Sequence, residues 1–336
     1  MMKQWFVLTV AVCLVVAATP SRASQSDNTR VITSSNDATE NSLLAFDSTG
    51  ALVQTISTGG RGGVSGNAGG IAAAGRLVAV VNFGSQSVSV FGLTHHGLVL
   101  IDVITTISAP VSVTFGHGHL YVLGTTSVES HRLYAGQVET ASDGSATLLR
   151  ADGSAAQVGV VGDQLLIAEK SNGVEVVDLQ GGTVSGTPVE VPIPAGSDTP
   201  LGLATRGNTG YVTIAHSDQV GSVKGGQLVA LVGSGSQHAP CWLALVGPYL
   251  YSSNSPSHSI SRYVVSGTHI VLDAEVIATT MGAPTDIGAF GKVVGVLDGG
   301  TQTHLTQFAV DEDGNLQQLA VSVVNRGANG VVVVAQ

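Results

Sequence analysis

LYSSNSPSHSISRYV, residues 250–264, holds in fifteen positions the pattern that decides the fold. A short apolar strand opening at Leu250 runs into a polar turn around Asn254-Ser255-Pro256. Alternation then follows, with Ile260, Arg262 and Val264 on one face. Period-two alternation between Gly, Asn, Ser and Pro clusters is the signature of antiparallel hairpins. Residues 77–91, LVAVVNFGSQSVSVF, repeat the plan with Asn82 and Gly84 in the turn.

Working outward, the same strand start occurs seven times, at Val31, Leu77, Leu120, Leu165, Tyr211, Leu250 and Val293, at intervals of 46, 43, 45, 46, 39 and 43 residues. A period of roughly 40–45 residues built only of strands and turns marks a propeller blade. A further hairpin in each unit is expected at Asp47–Gly50, His95–Gly97, Asp143-Gly144 and Asp311–Gly314. Ala109-Pro110, Thr199-Pro200, Ala239-Pro240 and Ala283-Pro284 precede the next strand starts by nine to eleven residues, which leaves room for one inner strand after each proline. The prediction is an all-β, seven-bladed β-propeller of four-stranded blades. The unit at Val31 lacks an upstream inner strand, whereas Val331–Val334 is a strand left over at the other end. A C-terminal strand completing the N-terminal blade closes the ring.

Composition adds boundaries. Lys3, the apolar run Trp5–Ala18 and the sequence Ser21-Arg22-Ala23 read as a signal peptide over residues 1–23, which leaves 24–336 as one propeller domain, secreted or periplasmic. Without that leader the chain carries 11 basic against 23 acidic residues, a surface unsuited to nucleic acid. No later apolar run is long enough to span a membrane after signal cleavage. One cysteine, Cys241, is left, so stability rests on packing and closure rather than on a disulfide. A monomer is expected.

APCWLALVGPYLYSSNSPSHSISRYVV from Ala239, APTDIGAF from Ala283 and VAVVNFGSQSVSVF from Val78 resemble the seven-bladed lactonase-like propellers, relatives of 6-phosphogluconolactonase and carboxymuconate lactonizing enzyme. The resemblance implies a propeller whose chemistry, where present, is lactone hydrolysis or the related cyclisation at the top of the central channel. The family's His, Arg and Glu roles do not transfer to particular residues here.

Loops entering the inner strands and loops after the second strands gather on one face of a propeller. They bring together the candidate ligand-binding residues Asn36, Arg61, Asn82, Lys170, Trp242, Asn254, Asp298 and Arg326. Thr285, Asp286 and Gln237 fall in the same loops. His216, Glu169 and His238 are the candidate catalytic groups, because acid–base work near neutral pH needs an imidazole or a tuned carboxyl. Glu169 or His216 would take a proton from water, with Lys170, Arg326 or Asn254 holding the oxyanion. Strand-end Asn and His also serve simply as turn caps. Cys241 beside Trp242 reads as a small buried filler. No HExxH or CxxC pattern calls for a metal, and no cofactor fingerprint is present in the sequence. The glycine-rich run Gly59–Gly70 has no helix after it and reads as a long flexible crossover loop at the channel rim. Two readings stay open: an exported lactonase-like propeller that binds a small ligand at the channel mouth and hydrolyses a lactone ester, or a non-catalytic extracytoplasmic module that binds an envelope protein.

Overall fold

Seven antiparallel sheets follow one another around a ring in the computed structural model, which describes Met1 and residues 29–335. Apart from Met1, the expected signal peptide lies outside the described residues. Blade two shows the plan, with strands Ile71–Ala74, Leu77–Asn82, Ser87–Thr94 and Gly97–Thr105 from the channel outward. The seven strand starts read from the sequence all fall within second strands. These are buried on both faces, since each lies in the middle of its blade between two neighbouring blades; Leu77–Asn82 is buried at every position. Outer strands such as Gly97–Thr105 alternate between exposed and covered residues. Three inner strands begin on the predicted prolines themselves, Pro110, Pro200 and Pro240, and a fourth begins at Ala283, one residue ahead of Pro284.

Closure is as the chain ends predicted. Asn329–Ala335 forms the innermost strand of blade one and runs antiparallel to Thr29–Ser34 in six register pairs, including Val31 with Val333. Val331, Val333 and Val334 are buried there. Neighbouring blades are tied by a recurrent tyrosine near the start of the second strand. The hydroxyls of Tyr121, Tyr211 and Tyr251 donate to the carbonyls of Gly182, Gly267 and Gly314, in the outer hairpin of the next blade, at 2.6–2.7 Å. Each buried phenol thus keeps a partner while its ring fills the gap between blades.

Two details differ from the sequence reading. In blades three and four the outer strand is split, into Gln137–Val138 and Gly144–Thr147 in one, and Thr183–Val184 and Val189–Glu190 in the other. The second break contains Gly186 and Pro188, and proline has no N–H to give a ladder. The blade-three hairpin turns at Ala135 and Gly136, both with positive φ, and not at Asp143-Gly144. Asp143 instead accepts from Ser130 Oγ at 2.7 Å and meets His119 Nε2 at 2.9 Å.

Candidate functional site

The face that gathers the predicted residues has its channel mouth filled by the chain itself. Residues 64–70 of the crossover from blade one to blade two turn inward and bond to blades around the ring. Asn36 contributes most at blade one: its Nδ2 donates to the carbonyls of Val64 and Gly327, and its Oδ1 accepts from the amides of Gly63 and Val64. Asn67 Nδ2 donates to the Val111 carbonyl, and the Asn67 and Asn329 side-chain amides pair with each other. The Ala68 amide donates to Ala156, Trp242 Nε1 donates to the Asn67 carbonyl at 3.1 Å, and Lys170 Nζ donates to the Gly66 carbonyl at 2.7 Å. Asn67 and Ala68 are 1% exposed, so this is a packed plug and not a flexible rim loop. The glycines serve close approach: a Cβ on Gly62 would collide with the Asn36 backbone, and one on Gly70 would lie 2.7 Å from Asn329 Oδ1.

Three of the predicted ligand-binding residues, Asn36, Lys170 and Trp242, therefore hold the plug. Burial pushes the Lys170 ammonium below its ordinary range, with Asp152 opposing. Three others end second strands and turn into sealed slots. Asn82 accepts from Asn41 and Thr58 and donates to Ser89; Asn254 donates to Ser259 and Ser261; Asp298 meets His304 and accepts the Met281 amide. All three have no exposed surface. Arg61 and Arg326 lie exposed on their crossover loops.

Glu169 occupies the same slot in blade four, but the chemistry differs. The serine two positions into the third strand of blades two and six, Ser89 or Ser261, is Glu175 here, set against Ile167 just as Ser89 is set against Val80. Both Glu169 oxygens and Oε1 of Glu175 are buried without a hydrogen-bond partner, and Arg150 Nη1 stands 3.8 Å from Glu169. Burial, then the Glu175 charge, push the Glu169 carboxyl up to about 8, with Arg150 pulling the other way.

His216 and His238 lie on the rim between blades five and six, His238 bonded to Asp218 and His216 beside Thr199 and Asp198, whose Oδ2 is 3.6 Å from its Nδ1. Asp218 sits at φ 55°, a left-handed position that a short polar side chain tolerates. Its Oδ1 accepts the Ala239 amide at 2.7 Å and its Oδ2 meets His238 Nδ1 at 2.9 Å. Partial burial alone would raise this carboxyl; the His238 bond, the Ala239 amide and the charges of both histidines hold it below the ordinary range. His216 Nδ1 bonds to Thr199 Oγ1 at 2.9 Å, and Thr199 donates to Asp198 at 2.8 Å. Each imidazole is thus oriented through Nδ1, leaving Nε2 toward solvent, with side chains 62% and 68% exposed. Glu169 belongs to a separate group, its charged neighbours being Glu175, Arg150 and Asp152.

Sequence reasoning missed Asp218, Asp198, Glu175 and Asn67. Asp218 had a legible signal, a carboxylate two residues after His216 in the same short turn. Glu175 could have been found by aligning the repeat, since a carboxylate there replaces a serine. Among the described residues no three His, Cys, Asp or Glu side chains group to hold a metal, and no helix is long and apolar enough to cross a membrane.

Comparison of the fold with solved structures gives strong likenesses. A candidate 6-phosphogluconolactonase from Bacteroides uniformis ATCC 8492 superposes with a TM-score of 0.68 at 16% identity, over 92% of this chain and 100% of its own. The periplasmic gluconolactonase PpgL of Pseudomonas aeruginosa gives 0.65 at 18% identity, over 91% and 99%. The shared architecture is the seven-bladed β-propeller. A streptogramin B lyase also matches, with a TM-score of 0.60 at 15% identity over 80% and 87%. One scaffold thus carries both names, and the fold alone selects no reaction. No protein-family model and no curated protein matches the sequence.

Proposed function

We propose that this chain is an exported lactonase-like propeller that hydrolyses a small lactone on the rim between blades five and six. The observation that carries the reading is the His216–Asp218–His238 group, two imidazoles oriented through Nδ1 and electrostatically joined by one carboxylate. A carboxylate that accepts from Nδ1–H fixes the tautomer in which Nε2 is the base. In this scheme His238 Nε2 takes a proton from water as it attacks the ester carbonyl. His216, in its protonated form, faces the developing oxyanion and returns a proton to the leaving alkoxide. The likeness to PpgL supports both the substrate class and export. Lys170 and Asn254 take no part, since the plug and the Ser259–Ser261 slot engage them.

The test is a panel of lactones of different ring size followed by proton release, with His238→Ala and Asp218→Asn beside the wild type. Loss of an acid–base group should lower kcat by about 10²–10⁴-fold. Turnover that both variants retain would remove the rim from the reaction. The plug favours a second reading, a non-catalytic extracytoplasmic binding propeller, because it fills the channel mouth where a small substrate would sit. Absence of turnover on every ring size would support that reading.

A further inference from the structure

With the plug across one end, the described residues leave a well in the central channel. Its volume is about 190 Å³, and inner strands of six blades line it. At the closed end lie Gly69 of the plug and Asp286 of blade seven. Asp286 is 97% buried; Oδ1 accepts the Ile287 amide at 2.8 Å, the Gly69 and Val331 amides face the carboxyl without closing a hydrogen bond, and Oδ2 has no bonded partner among the described residues. Opposite, in blade four, Gln157 spends its Oε1 on the Leu203 amide at 2.6 Å, which leaves its Nε2 donor toward Gly69. Thr114 and Thr205 lie further along their strands and are half-buried toward the opening.

We propose that this well binds a small primary ammonium ligand that also carries a hydrogen-bond acceptor, of the size and chemistry of an amino alcohol. The ammonium donates to Asp286 Oδ2 at the closed end, and the acceptor meets Gln157 Nε2. A buried carboxylate oxygen without a partner is costly unless a cation or donor reaches it, and among the described residues no lysine, arginine or histidine lines the well. An ammonium group supplies charge and up to three donors at one atom. Asp286 is the one titratable group among the lining residues, and burial moves its carboxyl up to about 7, against the amides of Ile287, Gly69 and Val331. Binding should therefore require pH above that value. This site is independent of the histidine rim and stands whether or not the chain is an enzyme.

The experiment is thermal unfolding of the full chain at constant ionic strength with ethanolamine, ethylammonium, ethylene glycol or potassium chloride, at pH 8.5 and pH 5.5. Ethanolamine should raise Tm by about 3 °C at ten times its Kd, and ethylammonium should do so less. Both effects should vanish at pH 5.5 and in Asp286→Asn, while glycol and potassium do nothing. An equal rise with potassium would replace the amine with a metal cation and overturn the proposal. So would an ethanolamine response that survives at pH 5.5, or none at pH 8.5. The pH arm uses the wild type alone, so it decides the matter even where the variant misfolds.

Discussion

Removal of residues 329–336 should unfold the ring. Three buried valines, Val331, Val333 and Val334, leave the interface between blades one, two and seven. At about 1.5–3 kcal/mol for each buried valine the apolar loss is about 5–9 kcal/mol. The ladder with Thr29–Ser34 spans six register pairs, and its hydrogen bonds at about 0.5–1 kcal/mol net add about 3–6 kcal/mol. Allowing for a compact unfolded chain lowers the sum to roughly 6–10 kcal/mol. That is the size of the whole stability of a typical domain, about 5–15 kcal/mol. The Asn67–Asn329 pair is lost as well, so the plug loosens together with the clasp. Far-UV circular dichroism and size exclusion should show an expanded or aggregated truncated chain, and a synthetic peptide of residues 328–336 added in trans should restore a cooperative melt. Val333→Ala, which deletes two methyl groups at a site 2% exposed, should lower Tm by about 3–6 °C. A truncated chain that melts cooperatively within about 5 °C of the full chain would refute this account of closure.

Other outcomes follow from single groups. With its carboxyl at about 8 against an ordinary 4.5, Glu169 keeps a proton in the folded chain that the unfolded chain has released. Stability therefore falls as pH rises from about 4.5 to 8, and Glu169→Gln should escape that fall. The advantage of the variant should grow from pH 5 to pH 9 by on the order of 2–4 kcal/mol in denaturant titrations; a pH-independent difference contradicts the buried-carboxyl argument. Burial pushes the Cys241 thiol up to about 12 and leaves it 7% exposed, so a thiol reagent should label it only after denaturant is added. Trp242 packs beneath the plug: Trp242→Phe strands the Asn67 carbonyl and should cost about 1–3 kcal/mol of stability in the same titrations.

The sequence by itself determined the number of blades, the order of their strands and the closing strand. These depend on period, alternation and turn chemistry, which are local and repeat seven times. Asn254 and Asn82, met in equivalent places of LYSSNSPSHSISRYV and LVAVVNFGSQSVSVF, were correctly placed at second-strand ends. Which way they turn was not legible, because an amide at a strand end bonds equally well to a ligand or to its own Ser261 or Ser89. Only the tertiary structure decided that Asn36, Lys170 and Trp242, from three separate blades, close on residues 64–67. It alone showed that Gly59–Gly70 is glycine-rich for close packing and not for motion. It also joined His238 to Asp218 and His216 to Asp198, and left Glu169 among other acids. Such convergence across blades depends on radial position in the ring, and a repeat read along the chain fixes the spacing of the blades without fixing what meets at their centre.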